Sequence, residues 1–142
     1  MRKYFILFAF CIQMLFSAAF AQSENLKTTL YNSENNVVMK IDLYEESVTV
    51  PGQELLGKTY GYIKRQDNSV TWMIMDVRFK KTEKVAELDF VSDTGADDLV
   101  ATLTLNKDGS YTLVQGEGST IKLAKNGKWI KLPKVITLQK KQ

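Results

Sequence analysis

Past its first two dozen residues the chain is written in a period of two. Apolar side chains recur at alternate positions in short runs, and each run ends at a turn signal. Successive side chains of an extended strand point to opposite faces, so this pattern suits half-buried strands. No stretch of about 12 residues beyond the start keeps the apolar period of a helix. Val37, Met39, Ile41 and Leu43 share one face, and Val48 and Val50 repeat the pattern after Glu45 and Glu46. Pro51-Gly52 marks a turn, and residues 53–57, with Leu55 and Leu56, predict a short helical turn or a crossing segment. A strand with Tyr60, Tyr62 and Ile63 is expected from Thr59 to Arg65.

The strongest strand signal runs from Val70 to Phe79. Val70, Trp72 and Ile74 fall on one side, and Met73, Met75, Val77 and Phe79 on the other, which predicts a strand covered on both faces. Ala86, Leu88 and Phe90 then oppose Glu87 and Asp89. Leu99, Ala101, Leu103 and Leu105 oppose Thr102 and Thr104. Asn106-Lys107-Asp108-Gly109 predicts a hairpin into Tyr111 to Val114, and Gly116-Glu117-Gly118 predicts a break. Ile121 and Leu123 lead to Asn126-Gly127, the signature of a type I′ hairpin. Trp129 to Leu132 and Val135 to Leu138 complete the series. Short, evenly spaced strands joined by tight turns predict an all-β fold, an antiparallel meander of about 8 to 10 strands closed into a small barrel. A two-sheet β-sandwich has the same strand spacing and stands as the alternative.

Residues 1–21 read differently. Arg2 and Lys3 precede an apolar run from Tyr4 to Phe16, and Ser17-Ala18-Ala19-Phe20-Ala21 ends in an A-x-A pattern. This is the three-part layout of a secretory signal peptide, with cleavage expected between Ala21 and Gln22. The apolar run is shorter than the roughly 20 residues of a membrane span. The expected product is exported, periplasmic or extracellular, with no membrane span after cleavage. Taking 21 residues from 142 leaves 121, one domain's worth. Residues 22–36 are polar and predict a mobile lead-in, with a little order around Leu26 to Tyr31. Residues 37–142 predict a single β domain.

Composition closes several routes to chemistry. The chain has no histidine, which removes the usual general base near neutral pH and the commonest metal ligand. Its one cysteine, Cys11, lies inside the leader's apolar run, so the exported form has no thiol and no disulfide. Acylation of Cys11 is not expected, because bulky Phe10 precedes it and the apolar run continues beyond it. Ser-His-Asp and Cys-His catalysis and Cys/His zinc sites are therefore excluded. No cofactor is expected. Arg2 and Lys3 are two of the 19 cations. Without them 17 stand against 16 acids, and a net charge near +1 gives no general reason to expect nucleic acid.

Leu56-Gly57-Lys58-Thr59-Tyr60 resembles the Leu-x-Gly-x-aromatic opening of lipocalin-like barrels, with one residue too many between the glycine and the aromatic ring. The strand, Asp-Gly turn and aromatic strand from Leu105 to Leu113 are also similar to those of small secreted bacterial lipocalin-like proteins. The resemblance covers residues 56–138. It implies a barrel able to hold a small apolar ligand and assigns no binding residue.

Asp93-Thr94-Gly95-Ala96-Asp97-Asp98 resembles the active-site loop of retroviral-type aspartic proteases. In that family two copies of the loop bring two aspartates together, and repulsion keeps one protonated so that the pair acts as base and acid. The resemblance would make Asp93 the catalytic residue of a homodimer. Three features depart from the family, the first being that the motif sits between two runs, Val85 to Val91 and Leu99 to Leu105, that pair readily as a simple hairpin. Ser92 stands where an apolar residue should pack the loop into the core, and no later glycine follows two apolar residues. The plainer reading is a polar turn in which Gly95 takes a positive φ and an aspartate bonds back to the backbone. Asp93, Asp97 and Asp98 could also share a calcium ion, but they lack the ordered ligand spacing of a calcium loop, so no metal site is assigned.

Two features point to binding. Tyr60, Tyr62, Trp72, Met73, Met75, Tyr111 and Trp129 are the candidate ligand-binding residues, as cavity lining or sugar-stacking surface, against the alternative that they are simply core. Lys122, Lys125, Lys128, Lys131, Lys134, Lys140 and Lys141 form a basic tail with no acid after Glu117. Such a face suits an anionic envelope component, while lysines on outer strand faces also serve solubility. The expected function is an exported, non-catalytic β-barrel that binds a small apolar ligand or an envelope partner. The alternatives are the peptidase built on Asp93 and a structural or adaptor role in the envelope.

Overall fold

The computed structural model describes residues 25–141. The predicted leader and its cleavage point lie outside the described residues. Twelve strands are present among those described: β1 Lys27–Asn32, β2 Val37–Asp42, β3 Val48–Thr49, β4 Lys58–Thr59, β5 Gly61–Arg65, β6 Thr71–Phe79, β7 Val85–Ser92, β8 Asp98–Leu105, β9 Tyr111–Gly118, β10 Lys122–Lys125, β11 Lys128–Lys131 and β12 Val135–Lys140. Eight of them close into an antiparallel meander barrel in the order β1-β2-β5-β6-β7-β8-β9-β12, with β12 returning to β1. This is the architecture of small lipocalin-like barrels, and the sandwich alternative falls. The other four strands make two small hairpins outside the barrel, β3–β4 and β10–β11. The meander puts the β1–β2, β5–β6 and β7–β8 turns and the β10–β11 hairpin at one end, called the upper end. The β3–β4 hairpin and the β6–β7 and β8–β9 turns lie at the lower end. Residues 54–56 form a single 3-10 turn on the β3–β4 excursion.

One strand was not legible. The segment expected as a mobile lead-in contains β1, which pairs with β2 along its whole length and with β12 at Leu30 and Tyr31. Its inward positions are Thr28, Leu30 and Asn32, opposite Ile41, Met39 and Val37. A strand with only one large apolar residue inside carries almost no hydrophobic period. Backbone pairing on both sides holds it, reinforced where Asn32 Nδ2 donates to the Thr137 carbonyl at 2.8 Å.

The lumen is filled. Leu30, Val37, Met39, Ile63 and Ile74 from one side meet Leu88, Phe90, Leu103, Leu113 and Leu138 from the other, and every one of them is 0% exposed. A hollow able to admit even one water would leave accessible area on such side chains, so the middle of the barrel is solid. Burying each large apolar side chain contributes about 1.5–3 kcal/mol.

β6 explains its own misleading pattern. A β-bulge shifts the register between Ile74 and Asp76. Trp72 and Ile74 face inward before it. After it Val77 and Phe79 lie opposite the inward Leu88 and Ala86. Thus one apolar face changes phase along the strand, and Met75, the extra residue, is left exposed. Cover on both faces was expected, yet only Met73 is buried on the outside, between Tyr62 and Val91. A second register shift falls between Leu99 and Ala101, opposite the predicted glycine break, which instead stays within β9. Gly118 has φ +113°, and a Cβ there would lie 2.5 Å from the Asp98 carbonyl oxygen. Only glycine allows that approach.

Outside the bulge, Asp76 sits opposite Asp89, a repulsive cross-strand pair. Arg78 offsets it, reaching Asp76 at 2.9 Å, Glu87 at 2.8 Å and Asp89 at 2.7 Å. Hydrogen bonds from Arg78 hold the Glu87 and Asp89 carboxyls below their ordinary range. A depressed carboxylate adds stability above its unfolded pKa and loses it as pH falls through the folded value. Arg78→Met is therefore expected to unfold more easily than wild type at pH 7, and the gap should close as pH drops below about 4. Urea melts at the two pH values test this; a gap that persists in acid would contradict it. Phe90→Ala is expected to cost about 3–5 kcal/mol in the same assay.

Candidate functional site

At the upper end one buried side chain fastens the β10–β11 hairpin to the barrel. Gln115, on β9, is 4% exposed. Its amide nitrogen donates to the Leu132 and Pro133 carbonyls at 3.2 and 3.1 Å, and its amide oxygen accepts from Ile121 N–H at 2.7 Å. Both roots of the excursion thus end on the same side chain. Leu132 N–H also donates to the Ile121 carbonyl, and Trp72 Nε1 donates to the Lys122 carbonyl at 3.2 Å. Ile121, Leu123 and Leu132 plug into the core beneath.

The two-residue turn fixes what the hairpin shows. Asn126 (φ 51°) and Gly127 (φ 77°) both take positive φ, as a type I′ turn requires. Lys125 then faces Lys128, Ala124 faces Trp129, Leu123 faces Ile130, and Lys122 faces Lys131. Alternation places Leu123 on the face toward the barrel. Lys122, Ala124, Trp129 and Lys131 share the other face. That face borders an open cleft of about 440 Å³.

The second wall of the cleft is the β7–β8 turn. Asp93 N–H donates to the Thr71 carbonyl, while Asp93 Oδ2 accepts from Thr71 N–H at 3.3 Å. Gly95, at φ +75°, donates to the Ser92 carbonyl. Asp97 N–H donates to Ser92 Oγ, and Asp97 Oδ1 accepts from Ser119 Oγ at 3.0 Å. Trp72 forms the floor. Lysines therefore stand on one side and aspartates on the other, yet no ion pair within 4 Å spans the cleft among the described residues. The Asp93-Thr94-Gly95 segment is a hairpin turn whose polar atoms largely hold the turn itself. No group of three or more acidic side chains among the described residues is arranged to hold a metal ion, Asp93, Asp97 and Asp98 included.

The seven aromatic and methionine candidates do not share one cavity. Tyr111 is fully buried at the lower end, where its hydroxyl donates to the Asn25 carbonyl at 2.5 Å and burial raises its pKa. Tyr60 packs half-buried against the core. Tyr62 and Met73 face outward as cross-strand neighbours, and partial burial, with Tyr31 nearby, raises the Tyr62 pKa. Met75 is exposed at the bulge. Only Trp72 and Trp129 come together, as floor and wall of the cleft. The neighbours that complete it, Asp93, Asp97, Lys122 and Lys131, are in segments singled out by sequence for other reasons. The register set by Asn126-Gly127 puts Lys122 and Lys131 on the face of Trp129, and the meander brings the β7–β8 turn, with Asp93 and Asp97, to the same end.

No protein-family model, curated protein or solved structure matches this chain. Among the described residues no helix is long and apolar enough to cross a membrane.

Gln115→Ala is expected to cost about 1–3 kcal/mol, because it orphans the buried Ile121 N–H and the Leu132 carbonyl. Amide hydrogen exchange at Ile121 and along β10–β11 should rise well before the barrel strands open. Uniform exchange across the molecule would show that the hairpin is not separately fastened.

Proposed function

We propose that this is an exported, non-catalytic binding protein that contacts an anionic component of the cell envelope through its upper end. The observation that carries the reading is the exposed lysine set on the β10–β11 excursion and its exit: Lys122, Lys125, Lys128, Lys131 and Lys134. Two of its cross-strand pairs, Lys122 with Lys131 and Lys125 with Lys128, set like charges directly opposite. Such pairs destabilise a hairpin unless an anion screens them. The same hairpin leaves Trp129 65% and Ile130 44% exposed. Solubility alone accounts for lysines on outer faces. It does not account for an indole held in water among them.

The filled lumen argues against an apolar ligand inside the barrel and turns the reading outward. Export rests on the leader pattern of residues 1–21. The peptidase alternative gains no support from a hairpin in which Asp93 is occupied by its neighbour strand.

The test is retention of the chain from residue 22 onward on an immobilised carboxylated polysaccharide. It should bind at low ionic strength and elute as salt screens the contacts. Lys125→Gln/Lys128→Gln/Lys134→Gln should elute at lower salt with a melting temperature no lower than wild type, since the opposed Lys125–Lys128 repulsion is removed. Retention indifferent to salt and to these substitutions would overturn the proposal.

A further inference from the structure

We infer that the cleft between the β10–β11 hairpin and the β7–β8 turn is a binding site for an acidic sugar, a pyranose unit bearing a carboxylate. The inference deepens the proposed function and rests on it, because it names the ligand class of the same end of the molecule.

Three surfaces meet there, and each asks for a different part of a ligand. The first is the indole of Trp129. Its cross-strand partner is Ala124, whose methyl group is too small to cover the ring. Trp72 lies buried beneath as the floor. An exposed indole beside an indole floor suits the C–H face of a sugar ring, which is flat and only weakly polar, and aromatic side chains combine such an apolar face with a polar edge. The second is the pair Lys122 and Lys131, directly opposed on the same hairpin face as Trp129 and without a carboxylate within 4 Å among the described residues. Two ammonium groups that repel each other are best satisfied by one anion between them, through charge-assisted hydrogen bonds.

The third surface is acidic. Asp93 and Asp97 each spend one carboxylate oxygen on a neighbour, Thr71 N–H and Ser119 Oγ respectively. The other oxygen of each has no hydrogen-bond donor among the described residues. Ionised carboxylates only accept, so they require ligand hydroxyls or other donors. This wall discriminates. A bare polyanion such as polyphosphate meets the lysines but is repelled by the aspartates and offers nothing to the indole. A neutral sugar serves the indole and the aspartates but leaves the lysines unrelieved. A carboxylated pyranose fits all three, and about 440 Å³ is a normal volume for a small-ligand cleft.

The chain has two tryptophans and both line this cleft, so intrinsic fluorescence reports on it directly. Tri-galacturonate, its methyl ester and a short polyphosphate should be titrated into the chain from residue 22 onward, with calorimetry alongside. Tri-galacturonate is expected to change the fluorescence saturably and to bind about tenfold or more tightly than either comparison ligand. Trp129→Ala should weaken its binding by about tenfold or more, and Asp97→Ala by a similar factor, while polyphosphate binds Asp97→Ala better than wild type. Trp129 is mostly solvated, so its replacement should leave the thermal melt unchanged. If polyphosphate and tri-galacturonate bind alike and Trp129→Ala changes neither, the acidic-sugar site is wrong and the general anionic face survives. If no polyanion binds at low salt, both readings fail.

Discussion

Closure of a sheet around a solid middle is the constraint from which the rest follows. Eight strands must each turn an inward set of side chains to the same axis, and those side chains must leave no space. Barrels of this strand number have room inside for side chains or for one small ligand. Here Phe90, Met39 and the surrounding leucines and isoleucines take all of it. A packed lumen stabilises residues 25–141, which hold no cysteine, and it denies the interior to any guest. The ends and the outer face are the surfaces left for a partner to reach.

The two ends are finished differently. At the lower end Asp42 is 3% exposed and organises the departure of β2. Its carboxylate accepts from Tyr44 N–H, Glu45 N–H and Ser47 Oγ. At the upper end Arg65 makes a two-pronged contact with Asp67, both prongs at 3.0 Å, and reaches the Asn35 carbonyl. Gln115 then anchors an entire hairpin over the barrel mouth. A buried amide with each of its polar atoms satisfied specifies geometry more narrowly than apolar packing, which tolerates sliding. At the upper end the backbone roots of the hairpin are thus fastened by directional hydrogen bonds, which fixes where its exposed groups start from. Binding sites gain from that kind of preorganisation.

Much of the fold was legible because inward and outward positions alternate cleanly. β7, with Ala86, Leu88 and Phe90 against Glu87 and Asp89, is the plainest case. β1 was not legible as a strand, and β6 was legible as a strand but not in which way its faces point. β1 has Thr28, Leu30 and Asn32 inside, so backbone pairing holds it and pattern does not reveal it. β6 shows apolar residues on both sides because Met75 is an inserted residue that flips the phase. A bulge is a property of two strands together and cannot be read from one. The candidate site was legible in pieces. Trp72 and Trp129 were singled out, while Asp93, Asp97 and the lysines were weighed separately as catalytic, metal-binding or solvated groups. Asn126-Gly127 already fixed which lysines share a face with Trp129. What no local pattern contains is that the β7–β8 turn and the β10–β11 hairpin leave the barrel at the same end, facing each other.

The central claim is that the barrel works from its outer surface at one end while its interior stays closed. Mapping backbone amide NMR shifts during titration with tri-galacturonate tests this most directly. The account predicts perturbations confined to residues 92–97 and 119–131 and the start of β6, with β2, β8 and the inward positions of β9 unmoved. Shifts spread through the inward residues of the barrel, or centred on its lower end, would contradict it.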